Sequence, residues 1–359
     1  MDRMDEKCKR CDGIKGLREE PATIVFILEN QLLKDKLKRQ LANITSKYQE
    51  EEDSITIEVP GLRSFFEKFY QTNTFSELEG EDIWIVVLSS GEMLKSHHVK
   101  NARNLNFWLS QVACSKYIKI LEEKRLTVYF HPIVNKDLSV IGFECLIRGI
   151  EQDGSLVSPA YLFDCAEKTN SIFYFDRTCR EVAIRKSAEK GLKDVLIFIN
   201  FVPTSIYNPE TCLKTTIELA DSYNLKHENI VFEVVETHKV EDIKHLRNIL
   251  DYYREKGFKV ALDDVGSGFS GLTSLVNLHP DIIKIDREII HNVNGDTLKQ
   301  GVVEALVNLC RKNDIKVLAE GVETIGEFNF IFEKVDYMQG FLFAKPSPEP
   351  SRQISVKGS

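Results

Sequence analysis

The chain lacks long apolar runs and a surplus of basic residues, and each absence excludes a class of function. No apolar run approaches the roughly 18–20 residues that cross a bilayer, so no membrane segment is predicted. The net charge of −8 provides no broad basic surface, which argues against duplex nucleic acid as a partner. The N-terminal sequence MDRMDEKCKRCDG is too polar for a signal peptide, so we predict a cytoplasmic location.

Cysteine is present but offers little for metal binding. Only Cys8 and Cys11 form a CxxC pair, and a zinc site needs a second pair of ligands. Whether this pair binds metal stays open. The other six cysteines lie in apolar contexts and are predicted to be reduced and buried: Cys114, Cys145, Cys165, Cys179, Cys212 and Cys310.

Hydrophobic patterning divides the chain into three parts. Residues 1–20 are charged and aperiodic, which predicts a flexible leader. Residues 21–120 alternate strand and helix patterns (ATIVFILE, SITIEVP and IWIVVL are the strands), which predicts a small α/β domain. The apolar, helix-like segment 105–124 continues into the next strand, and a rigid connection would suit a regulatory domain. The alternative, that this domain only stabilises the barrel or a dimer, stays open.

The third part, residues 121–359, repeats strand and helix patterns through to YMQGFLF. Such repeats predict a TIM-like (β/α)8 barrel, and an open doubly wound sheet is the alternative. The first two strands are separated only by the short turn NKDLS, which indicates an antiparallel pair. The predicted fold is therefore α/β: a barrel with an antiparallel first strand, preceded by a small α/β domain.

Polar residues follow the apolar runs of this third part. They are Glu144, Asn200, Glu233, Asp263, Asp264, Lys284, Glu320 and Gln339. Strand ends of a barrel meet at one rim, where several carboxylates would repel one another unless cations neutralised them. A single acidic residue at such a position often only caps the following helix. The ordered set predicts a divalent-metal site, and with it phosphate chemistry.

Seven motifs carry a closer resemblance over residues 125–348. They are Glu144-Cys145-Leu146 with Arg148, NFVPTS, FEVVE, LDDVGSGFSGL, DIIKID, AEGVET and YMQGFLFAKP. In this order and spacing they resemble the EAL domain family, the cyclic di-GMP phosphodiesterases. Any one motif alone would be weak, whereas seven in order are specific.

The resemblance implies a role for each matched residue. The residues implied to hold a first metal are Glu144, Asn200, Glu233 and Asp263, and those implied for a second are Asp263, Asp264 and Glu320. Lys284 would orient the attacking water. Together with Glu144, Asp263, Asp264 and Glu320 it makes up the catalytic set, with Mg²⁺ or Mn²⁺ as the cofactor. The implied substrate contacts are Arg148, His131, Gln339 and Pro203. Residues Glu236, Gly266 and Gly268 would anchor the loop 265–271, next to the face that would form a homodimer.

Four residues depart from the family pattern: Cys145 replaces alanine, His131 replaces glutamine, Val265 replaces phenylalanine, and Gly271 replaces serine. Their effects on activity stay open, but no expected metal ligand is missing. The resemblance therefore implies an enzyme that hydrolyses cyclic di-GMP to linear pGpG in bacterial second-messenger signalling. The alternative is a catalytically inactive receptor of the same type that binds cyclic di-GMP and acts through a protein partner.

Overall fold

The computed structural model describes residues 13–45, 47–72, 74–206, 208–235, 243–266 and 271–354. They form two compact units, one of residues 13–125 and 160–172, the other of residues 126–159 and 173–354. The described chain therefore passes between the units at three points, whereas the sequence suggested one boundary near residue 120. In these ranges no helix combines the length and the apolar character needed to cross a membrane.

The small unit is built on an antiparallel sheet with strand order β2-β3-β1-β4-β5. The strands are β1 (Ala22–Ile27), β2 (Gln49–Glu50), β3 (Ser54–Val59), β4 (Trp84–Ser89) and β5 (Arg103–Asn104). Alternate residues of the central strand β1 face opposite sides of the sheet. Ile24 and Phe26 join the main core, while Val25 packs with Val86 and Leu88 on the other face.

Within residues 13–125 this sheet is accompanied by the α-helices α1 (Gln31–Ala42), α2 (Leu62–Thr72), α3 (Glu77–Glu81), α4 (Leu105–Ala113) and α5 (Ser115–Glu122). Helix α2 places Phe65, Phe66 and Phe69 on one buried stripe, as helical periodicity requires. Phe26 of β1 packs edge-on against Phe65 and stacks on Phe69. Buried aromatic contacts of this kind hold the helix to the sheet.

The helix-like segment 105–124 forms two helices rather than one, because the chain leaves helical geometry at Cys114. The segment ends in a turn in which Lys124 has φ 54°.

Cys114 forms a disulfide with Cys165, with the Cα atoms 5.5 Å apart. Cys165 lies on α6 (Pro159–Lys168). The prediction of reduced cysteine is therefore wrong for this pair. It is confirmed for Cys145, Cys179, Cys212 and Cys310, which are free and buried, while Cys8 and Cys11 lie outside the described residues.

The second unit is a closed barrel of eight strands, in the order β6-β14-β13-β12-β11-β10-β9-β7 and back to β6. The strands are β6 (Leu126–Val134), β7 (Val140–Ile150), β9 (Leu196–Phe201), β10 (Ile230–Val235), β11 (Lys259–Val265), β12 (Ile282–Ile285), β13 (Lys316–Ala319) and β14 (Tyr337–Met338). A short strand β8 (Leu156–Val157) extends the sheet from β7. Strand β6 is antiparallel to both of its neighbours and the other barrel pairs are parallel. The predicted fold is confirmed.

The helices of this unit connect successive strands. They are α7 (Ile172–Glu189), α8 (Pro209–Cys212), α9 (Lys214–Ser222), α10 (Ile243–Glu255), α11 (Gly271–Leu278), α12 (Arg287–Ile290), α13 (Thr297–Arg311) and α14 (Ile325–Ile331). Helix α10 shows the common pattern, with Leu246, Ile249, Leu250 and Tyr253 on its buried face. Covered on the outside by helices, the parallel strands present their C-terminal ends at one rim.

Candidate active site

Lys284 of β12 lies at the centre of the rim with a side chain that is 1% exposed. Its Nζ is 2.7 Å from Glu233 Oε1, 2.7 Å from Glu320 Oε1, 3.0 Å from Asp263 Oδ1 and 3.5 Å from Glu144 Oε1. These carboxylates come from four different strands or strand ends. The structure thus brings together five residues that are up to 176 positions apart in the sequence, Glu144 to Glu320.

Strand register explains why Asn200 and Glu233 meet. They are paired residues of the parallel strands β9 and β10, so their side chains leave the sheet on the same face. Asn200 Nδ2 donates a hydrogen bond of 2.9 Å to Glu233 Oε2. One oxygen of Glu233 therefore faces the lysine and the other faces the amide.

The oxygen of Glu144 that does not face Lys284 is contacted by two other side chains. Glu144 pairs with His131 across the antiparallel strands β7 and β6. Gln339, just after β14, donates from Nε2 to Glu144 Oε2 at 3.0 Å, and His131 Nδ1 lies 3.9 Å from the same oxygen. The contacts fix the orientation of the carboxylate, with Oε1 directed toward Lys284.

The adjacent residues Asp263 and Asp264 reach the same site because the strand is irregular there. Asp264 has φ 55°, a left-handed conformation, and the register of β11 against β12 shifts between Leu262 and Val265. Such a bulge redirects side chains that would otherwise alternate between faces. As a result, Asp263, Asp264 and Glu320 each offer an oxygen within 4.8 Å of the others.

The electrostatics show that one ammonium does not neutralise this cluster. Burial, with the neighbouring charge of Glu144, raises the pKa of Glu233 well above its ordinary value despite Lys284. Burial and Asp263 likewise raise the pKa of Glu320 to about 8. For Glu144, burial is outweighed by Lys284 and His131, which lower its pKa to about 2. The rim therefore favours additional positive charge.

The donor set fits divalent cations such as Mg²⁺ or Mn²⁺. All candidate ligands are carboxylate or amide oxygens, the hard donors that these ions prefer. The triad Asp263, Asp264 and Glu320 is compact enough to share one ion. Burial raises the pKa of Asp264 to about 6, and the neighbouring Asp263 contributes. A cation would relieve this repulsion more effectively than a proton, because it can contact several oxygens at once.

The predicted substrate contacts lie nearby but are less tightly held. Arg148 of β7 donates from Nη1 to Ile147 O at 2.8 Å, and its guanidinium lies 5.6 Å from the ring centre of Tyr129. Pro203 is buried in the 3₁₀ turn Pro203–Ser205, directly after β9. His131 Nε2 is buried with no hydrogen-bond partner among the described residues. The imidazole thus has a polar atom available for a ligand.

The loop predicted to couple metal and substrate binding is described only at its start. Val265 is buried. Gly266 has φ 107°, and a Cβ there would lie 2.9 Å from Ile289 Cγ1, so a larger residue would be strained. Gly268 and Glu236 lie outside the described residues.

Sequence reasoning missed an ion pair behind this rim. Asp176 and Arg180 of α7 are both 2% exposed, and Asp176 Oδ2 accepts a hydrogen bond from Arg180 Nη1. The available signal was their spacing, since positions four apart on a helix share one face. Both lie on the apolar face with Phe175 and Cys179, where an unpaired charge would be unfavourable.

Several known proteins are similar to this chain. A family model described as EAL domain matches residues 115–346. PdeG, a probable cyclic di-GMP phosphodiesterase of Escherichia coli K12, is 31% identical over 233 residues, which are 64% of this chain and 46% of PdeG. BluF, a blue light- and temperature-regulated antirepressor of the same organism, is 26% identical over 307 residues, which are 84% of this chain and 68% of BluF.

A solved structure is similar as well. The cyclic di-GMP-bound form of a standalone EAL protein from Vibrio cholerae O395 is 36% identical, with a TM-score of 0.59. The match covers 65% of this chain and 96% of that one. In contrast, the matched segment spans less than half of PdeG.

Proposed function

The chain belongs to the EAL domain family, and we propose that it is a metal-dependent phosphodiesterase that hydrolyses cyclic di-GMP to linear pGpG. The observation that carries the proposal is the ring of four carboxylates around Lys284, with distances of 2.7 to 3.5 Å. An active site for an anionic phosphodiester needs cations, and this rim is the place in the described chain where oxygen ligands converge.

In this proposal the chain's own residues hold two cations and position the reactants. The cations, Mg²⁺ or Mn²⁺, would supply Lewis acidity that lowers the pKa of a water and offsets charge developing on the phosphate. Glu144, Asn200, Glu233 and Asp263 would hold one ion, and Asp263, Asp264 and Glu320 the other. Asn200 would bind through its amide oxygen, since its amide nitrogen already donates to Glu233.

Lys284 would move from neutralising carboxylates to orienting the attacking water. Its ammonium can donate three hydrogen bonds and can hold a developing hydroxide without being a metal ligand. Gln339 would keep Glu144 in orientation through the 3.0 Å hydrogen bond. Arg148 would contact a substrate phosphate, while His131 and Pro203 would contact the rest of the nucleotide.

The test is incubation of the purified protein with cyclic di-GMP and either Mg²⁺ or Mn²⁺, with products separated by chromatography. We expect pGpG, loss of turnover after chelation, and recovery when either ion is returned. Ca²⁺ is expected to bind without supporting turnover, because it is larger and prefers looser coordination. Intact cyclic di-GMP in every condition, or turnover that survives thorough chelation, would contradict the proposal.

A receptor that binds cyclic di-GMP without hydrolysing it is the second candidate. One observation favours it: the similarity to the antirepressor BluF extends over 84% of this chain, beyond the barrel alone. A receptor would act through a protein partner. It would bind cyclic di-GMP in calorimetry while producing no pGpG in the incubation above.

Three further predictions complete the proposal. We expect a homodimer formed through the face near loop 265–271, a cytoplasmic location, and a regulatory role for residues 21–120. A monomer with full activity at tens of micromolar concentration in light scattering would contradict the coupling of dimerisation to catalysis.

A further inference from the structure

The buried pair on helix α7 is connected directly to the strand end that carries Asn200. Asp176 Oδ1 accepts a hydrogen bond from the backbone N–H of Val202 at 2.8 Å. Asp176 Oδ2 lies 2.5 Å from Ser205 Oγ. One carboxylate therefore contacts both ends of the short turn that follows β9.

This turn contains or adjoins two residues of the proposed site. Asn200 lies two residues before Val202 and donates to Glu233 at 2.9 Å. Pro203 lies inside the turn. Since the turn has only three 3₁₀ residues, Pro203 to Ser205, its position depends strongly on contacts with the surrounding structure.

Arg180 holds the carboxylate in place. Its Nη1 donates to Asp176, and its Nε lies 3.4 Å from Thr216 Oγ1 on helix α9. Arg180, Asp176 and Thr216 are buried almost completely. A buried ion pair does little for stability compared with a well-packed apolar pair of the same size, so stability alone gives little reason for this arrangement.

We propose that Asp176 is a positioning residue for the active site, which fixes the turn 202–205 and through it the orientation of Asn200 and Pro203. The inference rests on the proposed function, in which Asn200 is a metal ligand and Pro203 contacts the nucleotide. Contacts that orient a metal ligand typically change metal affinity or activity by about 10–100-fold when they are removed.

The test compares two double variants of the full chain that differ only at position 176, where one keeps a hydrogen-bond acceptor and the other has none. Asp176→Asn/Arg180→Met removes both charges but keeps an amide oxygen that can accept from the Val202 N–H. Asp176→Ala/Arg180→Met removes both charges and the acceptor. Each variant is examined by calorimetric titration with Mn²⁺ alone, by kcat and KM for cyclic di-GMP, and by thermal unfolding.

We expect the asparagine variant to remain within about threefold of the wild type in Mn²⁺ Kd and in KM. The alanine variant is expected to be weaker by about tenfold or more in both. It should also unfold at a lower temperature, because the Val202 N–H loses its acceptor. Equal Mn²⁺ affinity and KM in both variants, or equal losses in both, would overturn the proposal, because the acceptor would then be irrelevant.

If the alanine variant does not fold, Ser205→Ala decides the question. It removes one of the two contacts to Asp176 and leaves the ion pair intact. A rise of about threefold in Mn²⁺ Kd or KM supports the proposal, and no change overturns it. A wild-type protein that binds Mn²⁺ but produces no pGpG would contradict the proposed enzyme, while the Mn²⁺ titrations would still test the role of Asp176.

Discussion

Among the described residues of each unit, one lysine is buried almost completely, and the two lysines have different surroundings. Lys34 of the small unit is 4% exposed, and its Nζ lies close to Glu51 O, 2.7 Å from Glu52 O and 3.4 Å from Glu50 Oε1. Lys284 of the barrel faces four carboxylates instead.

The surroundings of Lys34 indicate a structural role, whereas the surroundings of Lys284 indicate a functional one. Lys34 meets two backbone carbonyls and one partly exposed carboxylate, so its charge is balanced and it ties α1 to the segment 50–52. Around Lys284 the carboxylates outnumber the single ammonium, and burial together with the neighbouring carboxylates raises the pKa of Glu233 and Glu320. Such an excess destabilises the isolated protein, which is expected where a ligand supplies the missing charge.

Removal of one of the carboxylates around Lys284 should have the largest effect, and the effect is on catalytic activity. We expect Glu144→Ala and Asp263→Asn each to reduce hydrolysis of cyclic di-GMP by at least about 100-fold while the fold is retained. The reason is that a missing ligand weakens cation binding. Steady-state kinetics and circular dichroism provide the measurements.

The matched control is Glu218→Gln, at an exposed carboxylate of α9 whose partner Lys214 is 3.9 Å away. It should leave the rate unchanged, since exposed ion pairs contribute little. If Glu144→Ala or Asp263→Asn retains turnover within a few-fold of wild type, that residue is not an essential metal ligand.

The two lysines should also respond differently to metal. In metal-free protein, Lys284→Met should lower the free energy of unfolding by about 3–5 kcal/mol, because it leaves buried carboxylates without their counter-charge. Lys34→Met should lower it less, because Glu50, Glu51 and Glu52 are exposed and water can replace the ammonium. Adding Mn²⁺ should restore stability only for Lys284→Met, since a cation can take the place of that ammonium. Denaturant unfolding with and without Mn²⁺ measures both effects, and rescue of both variants or of neither would contradict the comparison.

The disulfide of the small unit should have the next largest effect. Cys114 and Cys165 close a loop with a sequence separation of 51, and restricting an unfolded loop of this size contributes about 2–4 kcal/mol. We expect Cys114→Ala/Cys165→Ala to unfold at correspondingly lower denaturant concentration. Cys212→Ala/Cys310→Ala is the control, because it also removes two buried sulfur atoms without breaking a cross-link. Equal losses in both variants would show that packing, rather than the cross-link, is responsible.

The barrel could be predicted from sequence because its signals are local. Each strand is a short apolar run, and a polar or acidic residue often stands at its end. Such residues are expected together where strand ends meet at one rim. Lys284 and Glu320 were found in this way, although they lie on different strands. The repeated strand and helix patterns predicted a closed barrel but left an open doubly wound sheet as the alternative. One short turn indicated that β6 is antiparallel to β7.

What sequence missed depends on contacts between distant segments. Residues 160–172 pack with the small unit although barrel strands precede and follow them. The local sequence of this segment does not indicate which unit it packs with. Cys114 and Cys165 each look like ordinary buried cysteines until the fold brings them together. Similarly, Asp176 gains its partners Val202 and Ser205 only in the folded barrel.

The smallest predicted effect concerns segment 160–172, where a change in the small unit could reach the barrel. Tyr117 Oη of α5 and Ser171 Oγ share a buried hydrogen bond of 2.8 Å, and Ser171 directly precedes α7, the helix that carries Asp176. Tyr117→Phe should lower the free energy of unfolding by about 1 kcal/mol. If the small unit is regulatory, kcat/KM should also change by about fivefold, the lower end of a typical allosteric coupling. Tyr253→Phe is the matched control, because the buried hydroxyl of Tyr253 has no hydrogen-bond partner in the described chain. Loss of stability at Tyr117 with an unchanged kcat/KM would favour the alternative, in which residues 21–120 only stabilise the protein.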